Sequence, residues 1–167
     1  MRRTLVTVVT LVSAAATMGG AGLALASASA SPGISQPENF RVISTNEAAK
    51  RQSVIATGSF IAGGSEALGR TVNSRAVDKA YLYRGTFEIT RRIRFRTPPA
   101  PPRRCILRVT ERGTYTLSHG TGRYTGISGS GRFTSRETLV FARTGPNNCG
   151  KTIAFQQIMS ESGTASR

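Results

Sequence analysis

At 167 residues the chain has room for one domain, and with one His, two Cys and no Trp it lacks the side chains for most metal centres and nucleophilic triads. It carries 23 Lys plus Arg against 8 Asp plus Glu, a formal net charge of +15. Hydrophobic content is a lean 38%, and 18 of the apolar residues crowd into positions 1–30. The remainder supports a single small core.

The chain opens as an export signal. Arg2 and Arg3 form a positive n-region, an apolar run starts at Thr4, and Ala28-Ser29-Ala30 before Ser31-Pro32 fits an A-x-A cleavage pattern. Gly19, Gly20 and Gly22 interrupt the apolar run and no cationic stop-transfer cluster follows, so a cleaved leader is expected over 1–30 and not a stable membrane anchor. The expectation is a secreted protein with a flexible segment at 31–39, a β-domain at 40–160 and a tail at 161–167. Without Arg2 and Arg3, 21 basic residues face 8 acids, a net charge of +13. In an oxidising compartment Cys105 and Cys149 should pair as a disulfide.

From residue 40 onward apolar side chains recur at period two, the mark of half-buried strands. Short candidates lie at 40–45, 53–61 and 80–84, and residues 47–52 could make one helical turn. Then Phe87, Ile89, Arg91, Ile93 and Phe95 share one face, with Glu88, Thr90, Arg92, Arg94 and Arg96 opposite. The alternation continues through Leu107, Val109, Tyr115 and Leu117, then Phe133, Leu139 and Phe141, and finally Ile153, Phe155, Gln157 and Met159. Gly-rich turns and the Pro98–Pro102 segment separate these runs. Seven or eight strands without a clean break predict an all-β fold, a single antiparallel barrel of about eight strands, because closure removes exposed edges. A β-sandwich is the alternative.

The stretch His119-Gly-Thr-Gly-Arg-Tyr-Thr-Gly-Ile-Ser-Gly129 resembles the GGTG-x-[FY]-x-x-x-x-G turn of dirigent and allene oxide cyclase proteins, with His119 in place of the first Gly. The segment 113–133 is also similar to small exported actinobacterial proteins with two cysteines. The resemblance implies a calycin-like eight-stranded barrel. It transfers no catalytic residue, since none matches a position here.

Two local patterns are set aside. Gly145-Pro-Asn-Asn-Cys-Gly-Lys-Thr152 fits the phosphate-loop consensus, yet too few residues follow for the required helix and parallel sheet. Gly120, Gly122 and Gly126 mimic a dinucleotide fingerprint, but the glycines and serines after them suit a turn between strands. His119 should sit solvated in that turn. No metal and no cofactor is expected.

Parity places two carboxylates on apolar faces: Glu111 with Leu107, Val109 and Tyr115, and Glu137 with Phe133, Leu139 and Phe141. Inside a barrel each would have a raised pKa and could act as a general base or ligand anchor; as structural residues they would pair with Arg at a strand end or bulge. Phe87, Phe95, Tyr115, Phe133 and Phe141 would line the interior. Arg91, Arg92, Arg94, Arg96, Arg103, Arg104 and Arg108 form the densest basic run, with Arg92, Arg94 and Arg96 expected as an outward row able to bind anions. The row has no interleaved aromatics, so nucleic acid is not the expected partner. The leading reading is a binding or accessory protein and not an enzyme. The alternatives are a dirigent- or cyclase-like barrel steering a small apolar ligand, and a binder of anionic cell-surface polymers or membranes.

Overall fold

The computed structural model describes residues 33–97, 104–146 and 148–167; the expected leader, the proline-rich segment and Arg103 lie outside them. Eight strands follow in chain order: β1 (Gln36–Ser44), β2 (Arg51–Gly58), β3 (Ala62–Ala67), β4 (Arg75–Leu82), β5 (Gly85–Arg96), β6 (Ile106–Ser118), β7 (Ser128–Arg143) and β8 (Cys149–Ser166). Each pairs antiparallel with the next and β1 pairs with β8, so the sheet closes into a barrel. The barrel, not the sandwich, is what the alternating pattern builds. β1 starts inside the segment expected to be flexible, and β8 extends through most of the expected tail. Residues 47–52 give a turn and the start of β2, and one 3-10 turn, Gly122–Tyr124, lies between β6 and β7.

The two ends of the barrel differ. One is plugged by loop side chains: Phe60 from the β2–β3 loop and Tyr124 and Ile127 from the β6–β7 loop are all buried. Tyr124 sits 5.2 Å from Phe60 and 5.3 Å from Phe87, ring centre to ring centre, and Phe40, Phe87 and Tyr115 continue the cluster inward. Tilted and edge-on contacts of this kind add to the burial of large apolar rings. Buried Glu38 anchors the plug by accepting hydrogen bonds from the Ser59 hydroxyl at 2.7 Å and the Phe60 amide at 3.2 Å. Gly122 and Gly126 adopt left-handed φ of +58° and +80°, which explains two glycines of the motif that resembles the dirigent turn.

At the other end β6, β7 and β8 rise above the shorter strands. There Cys105, just before β6, is bonded to Cys149, the first residue of β8. Irregularities in β5 and β8 near this end change which side chains point inward. Ile93 pairs with Gly113 but Phe95 with Arg112, so Arg94 is an extra residue and the parity of β5 inverts beyond it. Phe95 therefore faces solvent and does not line the interior, while Arg96 turns toward the mouth and leaves the outward row. In β8, Ala154 pairs with Val140 but Thr152 with Phe141, and Ile153 is put outside.

Candidate functional site

The open end holds a cavity of about 330 Å³. Its walls are Ile93 of β5, Phe133 and Leu139 of β7, and Phe155 and Met159 of β8. Polar groups enter at three levels. On the floor stands Arg91, buried although it lies on a face otherwise apolar. Its Nη1 donates to Glu66 and Asp78, and its Nε donates to Glu161 at 2.5 Å. At mid-height the Gln52 amide donates to Gln157 Oε1, and the Gln157 amide donates to Ser135 Oγ at 3.1 Å and Glu137 Oε1 at 3.0 Å. At the lip Arg96 Nε meets Glu111 Oε1 at 3.1 Å, and Glu47 completes the rim.

One guanidinium among three buried carboxylates cannot satisfy them all as anions. Burial pushes the Glu161 carboxyl up to about 7, opposed by Arg91 and assisted by Glu66 and Asp78; burial also raises Glu66 against the pull of Arg91. For Arg91 burial alone would weaken the charge, but Glu161, Glu66 and Asp78 more than offset it and hold the pKa well above the ordinary value. Glu137 is raised by burial and by neighbouring Glu111, against Arg96. Two buried groups at the cavity retain unused hydrogen-bonding capacity, Arg91 at Nη2 as donor and Gln52 at Oε1 as acceptor.

The raised carboxyls set the direction of a pH effect. Folded Glu161 holds its proton more tightly than the unfolded chain, so its stabilising contribution is complete below about pH 4.5 and is lost as pH rises to about 7. Stability should fall by about 3 kcal/mol across that window, with Glu66 acting in the same direction. Urea midpoints at pH 5 and pH 8 measure the fall, and Glu161→Gln should flatten it. Equal midpoints for the native chain would contradict the assignment.

The structure brings together Glu111, Glu137, Phe133, Arg91 and Arg96 at this cavity, and places the other predicted residues that it describes elsewhere. Phe87 and Tyr115 lie sealed in the aromatic core and Phe141 is half-buried away from the cavity, its place taken by Leu139 and Phe155. Arg91 belongs to the interior and not to an anion-binding surface; Arg92, Arg94, Arg104 and Arg108 are exposed. Glu137 bonds Gln157 and not an arginine, whereas Glu111 does pair with an arginine beyond a bulge. His119 is exposed in its turn and meets Glu88 at 3.0 Å. The phosphate-loop pattern leads into strand β8, with Cys149 locked in the disulfide.

Sequence reasoning passed over Gln52, Asp78 and Glu161, and read Gln157 only as one member of an apolar alternation. Their signal was the one that marked Glu111: each is a polar residue at the inward parity of an apolar alternation, Gln52 with Val54 and Asp78 with Ala76 and Ala80. Glu66 gave no such signal, because β3 reads AGGSEA.

Among the described residues no group of three or more His, Cys, Asp and Glu is placed to hold a metal ion, and no helix is long and apolar enough to cross a membrane. Compared with known proteins, the chain gives no significant match to a family model, a curated sequence or a solved structure.

Proposed function

We propose that this is an exported binding barrel that holds a small amphipathic organic molecule in the open end. The observation that carries the reading is the pairing of apolar walls with two buried, unsatisfied polar atoms at one cavity. A volume of about 330 Å³ is at the small end of the ~300–1,000 Å³ range of ligand sites. The ligand's apolar body would lie on Phe133, Leu139, Phe155 and Met159, and its polar head would accept from Arg91 and donate to Gln52. The head is neutral, because it must accept from Arg91, which an ammonium cannot do, and an anionic head would meet more carboxylates around the cavity than guanidiniums. Export is supported by the signal pattern at 1–30 and by a disulfide of the kind that oxidising compartments maintain.

Native mass spectrometry of the folded protein tests this, using a panel of small alcohols, ketones, amides, amines and carboxylic acids. Neutral members should be retained, and Leu139→Trp, which fills the cavity, should weaken them at least tenfold with the thermal midpoint held. Retention of carboxylates alone, or equal retention by the variant, would refute the reading.

A second reading rests on Glu137. A half-buried carboxyl with a raised pKa beside an apolar wall can give or take a proton, so the barrel could steer a bound substrate as dirigent- or cyclase-like proteins do. Support comes from the closed eight-stranded antiparallel barrel and the Gly122 and Gly126 turn. Conversion of a retained panel member, abolished by Glu137→Gln while retention persists, would favour it over simple binding.

A further inference from the structure

The charges of this protein are sorted by side. Four of its eight acids are buried in the barrel (Glu38, Glu66, Asp78, Glu161), Glu111 and Glu137 line the open end, and Glu47 stands on the rim. Only Glu88 remains on the outer wall, beside His119. Every Lys and Arg of the described residues except Arg91 is exposed. The wall is therefore more cationic than the composition states, and its field is not locally neutralised.

The register arranges that charge most regularly over β6, β7, β8 and β1. Where β6 and β7 pair, each arginine stands opposite a threonine: Arg108 with Thr138, Arg136 with Thr110, Arg112 with Thr134 and Arg132 with Thr114. Two strands further, Arg41 of β1 pairs with Ser160, which pairs with Thr134. Arg132 and Arg136 thus lie one outward position to either side of the level of Arg41. With about 3.4 Å per residue and about 4.8 Å between strands, neighbouring guanidinium stems are roughly 8–14 Å apart, within reach of one extended chain. Two adjoining grooves of about 430 and 360 Å³ cross this face and share Arg41, Thr134 and Ser160.

We propose that the outer face of β7, β8 and β1 is a binding groove for a linear phosphate polymer, held by Arg41, Arg132 and Arg136 with the hydroxyls between them. The cation spacing demands an anion that repeats along a chain. The hydroxyls favour its chemistry: an arginine fork uses one lone pair on each of two oxygens, and a tetrahedral chain phosphate still offers acceptor sites out of the plane of the fork to a Thr or Ser donor, whereas the remaining sites of a planar carboxylate lie in that plane. No outward carboxylate on these strands competes for the arginines. The groove lies outside the barrel and is independent of the cavity reading.

The test uses the folded protein with two labelled probes, long-chain inorganic polyphosphate and a glycerol-phosphate polymer, titrated across a salt series. The variant Arg41→Ser/Arg132→Ser/Arg136→Ser should bind at least tenfold more weakly at about 0.15 M salt, and its log–log salt slope should shrink by about 2–3. A control that loses the same charge elsewhere, Arg70→Ser/Arg75→Ser/Arg123→Ser, should change affinity less than threefold. All six side chains are exposed, so matched thermal midpoints establish that both variants fold. Binding of polyphosphate alone assigns an inorganic chain; binding of both probes assigns the phosphodiester backbone. Equal losses in the two variants, equal binding of a sulfated glycan or duplex DNA, or no binding of either probe at that salt would overturn the proposal.

Discussion

Replacing Arg91 by Met should cost about 3–5 kcal/mol at pH 8, the largest single-residue loss expected in this protein. The side chain is buried at the cavity floor and bonded to Glu66, Asp78 and Glu161. Methionine of similar length would leave three buried carboxyls facing one another. They could relieve the repulsion only by taking up protons, so the loss should shrink markedly at pH 5. Changing the partners as well, to Gln at Glu66 and Glu161 and Asn at Asp78, should restore most of the stability, because a neutral cluster has no uncompensated charge. Urea denaturation at both pH values reads all three effects. A loss below about 1 kcal/mol at pH 8, or one unchanged at pH 5, would show that Arg91 does not neutralise this cluster.

Removing the disulfide is the second large effect. Cys105 and Cys149 are 44 positions apart, and opening a loop of that size costs about 4 kcal/mol on the chain-entropy account. Cys105→Ser/Cys149→Ser should accordingly unfold at clearly lower urea, and a reducing agent should bring the native chain to the same midpoint. The bond also ties the starts of β6 and β8 at either side of the end of β7, where Phe141 donates its amide to the Cys105 carbonyl. Loss of the staple should therefore raise amide exchange first in residues 139–155, at the lip of the cavity. Uniform exchange across the barrel would show the bond acting on the unfolded chain alone.

Period-two alternation was sufficient to read β6, where Leu107, Val109, Glu111, Tyr115 and Leu117 keep one register with β7 without interruption. It also placed Glu111, Glu137 and Phe133 at the site, because parity along a regular strand is a strict geometric consequence of the pleat. It failed at Phe95 and Arg96, since a bulge is set by pairing across strands and leaves no mark in one strand's own sequence. Arg91 shows a different limit. Its inward parity was readable, but the three carboxylates that make burial tolerable come from β3, β4 and β8, and only the closed sheet brings them together. The plug was invisible for a related reason. Phe60 and Tyr124 sit in loops, where no periodicity tells an anchored ring from a solvated one.

Because the first strand hydrogen-bonds to the last, Gln36 lies beside Ala165, at the end opposite the mouth. A tether attached at either side of that seam would immobilise the molecule with its opening directed away from the support. Joining the two positions by a short linker and cutting the exposed turn near Asn46 would give a circular permutant with the same barrel.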